Sequence, residues 1–199
     1  MSAVLVVCTG NVCRSPMAEG FLRAALERRF GPDAPRVSSA GTAGWEGSSA
    51  MPESVQAAAE RGVDIAGHAA RRLDAQMLGE ADLVVCMAAE HRDAVGSMDP
   101  GAAARTFTLK ELVTVLESSG TPRPGTSEDL PARVAAADDR RRDGGVAVPA
   151  DEDIVDPLGA PSSVYRAVAW ELDTWIERLV DAAFGPADRD GAPLTPEVG

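Results

Sequence analysis

The stretch Cys8-Thr9-Gly10-Asn11-Val12-Cys13-Arg14-Ser15-Pro16 sets a thiol, a guanidinium and a hydroxyl around one short loop. Five residues separate Cys8 from Arg14, enough for a ring of backbone N–H groups to wrap a tetrahedral oxyanion. A cysteine at the floor of that ring feels the N–H dipoles, the start of the following helix and the guanidinium, and all three favour thiolate over thiol. Cys8 therefore reads as a nucleophile. Arg14 suits a phosphoryl group, because its fork holds two equatorial oxygens and tightens as charge redistributes in the transition state, a geometry lysine lacks. Ser15 is placed to donate its hydroxyl to the sulfur and ease its departure in a second step. Thr9, Gly10, Asn11, Val12 and Cys13 complete the phosphate ring, with Asn11 and Gly10 expected at the positive-φ positions of a tight loop.

Such a ring needs a strand to deliver Cys8 and a helix to begin at Arg14. "SAVLVVC" is a short β-branched run bounded by Gly10, which predicts a buried strand. Ala18, Phe21, Leu22, Ala25 and Leu26 then recur at helical spacing as far as Gly31-Pro32. Further strands are predicted at "RVSSAGT", "ADLVVCM" and "RTFTL", with helices at "MPESVQAAAERGVD", near Leu73 to Gly79, at "AAEHRDAVGSM" and at "KELVTVLES". Val164, Val168, Leu172, Trp175, Ile176, Leu179 and Ala183 mark one face of a long C-terminal helix. This alternation predicts an α/β fold, a small central parallel sheet of four strands flanked by helices on both faces, with ligands outside the carboxyl ends of the strands. Residues 1–184 read as one domain; 118–153, rich in Pro, Gly, Ser and Asp and containing "DDRRRDGG", as a mobile insertion with a solvated linker; 185–199 as a disordered tail.

The chain of 199 residues carries 31 acidic and 19 basic side chains, a formal charge of −12, which argues against nucleic-acid and anionic-membrane partners. An anionic substrate must then find local positive potential in backbone amides and Arg14. "MSAVLVVCTG" lacks the basic and apolar regions of a signal peptide and no window reaches about 18 apolar residues, so a cytoplasmic protein is expected. Three cysteines without regular spacing fit a reducing compartment, and two histidines without ligand spacing imply neither a metal nor another cofactor.

"VCTGNVCRSPMAE" resembles the active-site loop of the low-molecular-weight protein tyrosine phosphatases, and "SSAGT" with Trp45, "GHAARRL", "ADLVVCM", "TFTLKELV" and "DIVDPLGAPSSVYRAVAWEL" match that family in order. The resemblance implies a flavodoxin-like architecture and a two-step hydrolysis of phosphorylated proteins that releases inorganic phosphate. Cys8 attacks phosphorus, a phosphocysteine forms, and an aspartate protonates the leaving oxygen and then activates water. By position in "VDPLG" that aspartate is Asp156, a carboxyl beside proline on a constrained loop; Asp151, Glu152 and Asp153 are rivals by composition. Asn11, Ser39 and His68 correspond to residues that brace the loop. Trp45 is the aromatic candidate for a substrate wall. Cys13 is either inert or, as the resemblance implies, an oxidation partner for Cys8. Cys86 is expected in the core and His91 on the solvated surface.

Within the family a threonine before the second loop cysteine accompanies protein-arginine phosphatases, whereas isoleucine or valine accompanies tyrosine phosphatases; Val12 therefore favours phosphotyrosine. "TFTLKELV" and "DIVDPLG" also resemble the arginine branch, which stands as the alternative. Leu158 replaces the tyrosines that some members carry after the Asp-Pro pair. Thiol-relay arsenate reduction would need further redox cysteines, and the residue seven places after Cys86 is Asp93. A module that only binds phosphate would need neither Cys8 nor Asp156.

Overall fold

The computed structural model describes residues 2–120, 129–144, 146–147 and 149–186. Four strands, β1 (Ala3–Cys8), β2 (Arg36–Gly41), β3 (Leu83–Cys86) and β4 (Thr106–Thr108), form one parallel sheet in the order β2-β1-β3-β4. The fold is α/β, as expected. Cys8 pairs with Gly41, Val7 with Cys86 and Cys86 with Thr108, so the carboxyl ends of all four strands share one edge.

Alternation along β1 sorts the core into two layers. Val4, Val6 and Cys8 face α1 (Arg14–Phe30), α5 (Leu109–Glu117) and α7 (Ser162–Phe184), which bury Phe21, Leu112, Leu172 and Ile176 against the sheet. Leu5 and Val7 face the other way, onto Leu78 of α3 (Ala75–Glu80) and Val95 of α4 (Ala89–Met98). A strand covered on both sides must be apolar throughout, which is why β1 reads as an unbroken run. α2 (Pro52–Ala59) packs Ala57 and Ala58 into the first layer and stops short of Gly62, whose φ is 80°.

The segment expected to be an irregular insertion carries a helix instead. α6 (Leu130–Arg142) buries Leu130, Val134, Ala137 and Asp138, positions that recur every three to four residues and so form one helical stripe. The stripe is narrow and lies among charges, which hides it from a composition-based reading. Its C-terminal charge run is mostly exposed, yet Asp138 and Arg141 anchor it. The Arg141 guanidinium lies 4.1 Å over the Phe107 ring and donates to the carbonyls of Thr106 (2.8 Å) and Ala103 (2.9 Å). Buried Asp138 pairs with Arg141 and Arg142. Residues 121–128, 145 and 148 of the expected insertion, and 187–199 of the expected tail, lie outside the described residues.

Candidate active site

The loop after β1 is turned inside out by its neighbours. The carbonyls of Cys8, Thr9, Gly10 and Val12 accept hydrogen bonds from the N–H groups of Thr42, Ala43, Trp45 and Met51 at 2.8–3.1 Å. The fifth carbonyl, of Asn11, lies 2.8 Å from His68 Nε2, which must be the donor. In a trans peptide the next residue's N–H points opposite to the carbonyl, and the described residues include no cis bond. Five carbonyls held outward therefore turn the N–H groups of Thr9 through Cys13 into the ring, next to the N-terminus of α1. Gly41 allows the approach: a Cβ there would meet the Thr9 carbonyl oxygen at 2.4 Å.

Asn11 is the keystone. It is the one non-glycine residue with positive φ among those described (57°), and its buried amide satisfies all its partners at once. Nδ2 donates to Ser15 Oγ and Ser39 Oγ, and Oδ1 accepts from the Arg71 N–H, each at 2.8 Å. The Ser39 hydroxyl in turn donates a hydrogen bond to Glu19 Oε2 at 2.6 Å. Gly10 does not share the positive φ expected of it. A Cβ there would stand 3.4 Å from Val12 Cγ2 and 3.7 Å from the Trp45 ring, ordinary contact distances, so neither φ nor space demands glycine at this position.

Cys8 Sγ sits buried on the floor, 2.9 Å from Ser15 Oγ and 3.3 Å from the Asn11 N–H. Above it opens a cleft whose rim brings in Arg14, Trp45, Asp156 and Leu158. Arg14 is buried along its length. Its Nη1 donates to the Ile154 carbonyl (3.1 Å), and its Nη2 to Asp156 Oδ2 (2.7 Å) and Thr9 Oγ1 (3.3 Å). Val12 and Cys13 line the same cleft. Trp45 and Leu158 are about half exposed, 48% and 45%, so these large side chains present apolar surface to whatever enters.

The rival acids are turned elsewhere. Asp151 is exposed beside Lys110, Glu152 pairs with Arg92, and Asp153 Oδ1 accepts the Ala89 N–H. Cys86 lies in the opposite core layer from Cys8, since adjacent register positions on neighbouring strands face opposite ways, and burial pushes its thiol up. Burial likewise raises the Cys13 thiol to about 11, with the Tyr165 hydroxyl 4.0 Å away.

His91 corrects the expectation of a solvated residue. It is 1% exposed, with Nε2 2.9 Å from Thr9 Oγ1. Burial, with the Arg14 charge second, lowers it to about 4 from the ordinary 6.5, so it is neutral in the fold. The readable signal was its place one turn before Val95, on the buried face of α4.

The family model for low molecular weight phosphotyrosine protein phosphatase matches residues 3–128. The chain belongs to that family. As a member of the low molecular weight phosphatases it is an enzyme, a phosphomonoesterase acting on phosphorylated protein. Among relatives, a protein-arginine-phosphatase of Geobacillus stearothermophilus is 35% identical over 178 residues, 89% of this chain and 93% of the relative. The low molecular weight protein-tyrosine-phosphatase Etp of Escherichia coli (strain K12) is 36% identical over 123 residues, 62% of this chain and 77% of Etp. The solved YwlE arginine phosphatase of Geobacillus stearothermophilus superposes with a TM-score of 0.66 at 33% identity, covering 91% of this chain and 92% of that one.

Proposed function

We propose that this phosphatase hydrolyses phosphotyrosine in cytoplasmic proteins, with Cys8 as nucleophile, Arg14 as phosphate clamp and Asp156 as general acid and base. The observation that carries the reading is the convergence of Cys8 Sγ, the Arg14 fork and the Asp156 carboxyl on one cleft with apolar walls. The phosphate seats in the ring of N–H groups of Thr9 through Cys13, with Arg14 on two of its oxygens. The Cys8 sulfur attacks phosphorus as the P–O bond breaks, and the Asp156 carboxyl gives its proton to the departing phenolate. Asp156, now a carboxylate, takes a proton from water; the hydroxide attacks phosphorus, the S–P bond breaks and inorganic phosphate is released. Ser15 Oγ and the Asn11 N–H stabilise the thiolate that departs. Asn11, Ser39 and His68 hold the ring in shape. Val12, Trp45 and Leu158 offer faces on which an aromatic ring stacks or packs. A nucleophilic thiol suits a reducing compartment, hence the cytoplasm.

Phosphoarginine hydrolysis is the second reading, favoured by similarity across 89% of this chain to the Geobacillus arginine phosphatase. The two part at Val12, whose methyl groups pack against an aryl ring but offer a guanidinium no acceptor. Phosphate release from matched phosphotyrosine and phosphoarginine peptides decides, with Cys8→Ser as blank and Val12→Thr alongside. Preference for phosphotyrosine is expected; preference for phosphoarginine by the unchanged chain would overturn the substrate while leaving the mechanism standing.

A further inference from the structure

Ahead of Asp156 the chain is gripped from outside at four consecutive residues. Lys110, the second residue of α5, has a side chain only 5% exposed, and its Nζ donates to the Asp153 carbonyl at 2.9 Å. The same ammonium pairs with Glu171 of α7 at 2.8 Å and with Asp151 at 3.3 Å. Arg92 of α4 bridges two carboxylates: Nη1 lies 2.7 Å from both Glu111 Oε2 and Glu152 Oε2, and Nη2 3.2 Å from Glu152 Oε1. Thr108 Oγ1 adds a bond to Glu152 at 3.0 Å. Asp153 Oδ1 takes the first N–H of α4, and the Ile154 N–H donates to the Met87 carbonyl at 2.7 Å.

Residues 151–157 contain no helix or strand, so no ladder of their own sets their path. Burying an ammonium is costly unless it is paired, and an apolar residue would fill the place of Lys110 at lower cost. Its hydrogen bond to the Asp153 backbone acts on the short strap that ends at Asp156. We infer that Lys110 is a positioning residue for Asp156, acting with Arg92 by fixing the backbone from which the general acid projects; the inference rests on the reading of Asp156 as that acid. A misplaced acid costs rate in proportion to how much the leaving oxygen needs its proton. A lysine that merely ties α5 to α7 would affect all substrates alike.

The test compares kcat/KM for phenyl phosphate, a poor leaving group, with p-nitrophenyl phosphate, a good one, at constant pH. Asp156→Asn should lose about 100-fold on phenyl phosphate and much less on p-nitrophenyl phosphate; equal losses would remove Asp156 from the acid role and take the proposed function with it. Lys110→Met should lose about tenfold on phenyl phosphate, with Lys110→Arg largely rescuing it, and should add nothing to Asp156→Asn in the double variant. Equal loss of both substrates on Lys110→Met, or losses that multiply in the double variant, would overturn the positioning role while Asp156 kept its own. Should Lys110→Met fail to fold, Arg92→Lys, which gives up the fork between Glu111 and Glu152, must show the same leaving-group dependence or the inference fails.

Discussion

From Cys8 to Val12 every backbone carbonyl is taken by an N–H of the 42–68 region, whereas from Asp151 to Ile154 the chain hangs largely on side chains of α4 and α5. Both segments face one cleft, yet their rigidity has different origins. The loop from Cys8 to Val12 is short, contiguous and braced by a buried amide whose three hydrogen bonds go to neutral partners. The strap before Asp156 depends on ion pairs, and its end is drawn onto Arg14 at 2.7 Å. Both arrangements hold a backbone in place, one through main-chain N–H groups and the other through paired side chains.

Substitutions that strike one segment and not the other sharpen this contrast. Cys8→Ser should lower turnover by about 10⁵-fold or more while leaving phosphate affinity in place, because the N–H ring survives; calorimetric titration with phosphate beside a turnover assay checks both halves. Persistent turnover would remove Cys8 from the chemistry. Asn11→Ala should cost about 2–3 kcal/mol, since Ser15, Ser39 and the Arg71 N–H lose a buried partner and alanine resists the positive φ. Urea unfolding measures it, and a cost as small as that of a surface change would mean the loop is not braced as described. Asp153→Ala should cost only about 1 kcal/mol, the loss of one helix-start bond, with a local rise in amide exchange near Ala89.

The histidine beneath Thr9 adds a pH test. His91 takes its proton at about 4 in the fold and near 6.5 when unfolded. The unfolded chain therefore binds more protons across that window, and stability falls as pH drops from about 6.5 towards 4. Denaturation midpoints of His91→Gln should lack that component of the slope. A variant whose midpoint tracks the parent chain through the window would show that His91 is not held neutral.

One part of the clamp carries a local sequence signature. Thr108 and Glu111 stand three apart at the head of an apolar run, the pattern of a capping box, and the structure forms both of its bonds. What no spacing discloses is that Glu111 also takes Arg92 from α4, or that the lysine between them points at a carbonyl forty-three residues on. α6 carries no comparable signature, because four buried side chains among many charges give too weak a period to stand out from a linker.

Sequence by itself determined the strand, loop and helix that carry Cys8 through Ser15, and the order of the elements around them. These are short-range matters: an apolar run, a run of five residues and a helical stripe each act within a few bonds of where they are written. Only the tertiary structure decided that His91 meets Thr9 and that the strap reaches the cleft by way of Lys110 and Arg92. Each of these depends on which distant surfaces share a boundary after packing, and burial and pairing of polar groups are properties of that boundary alone.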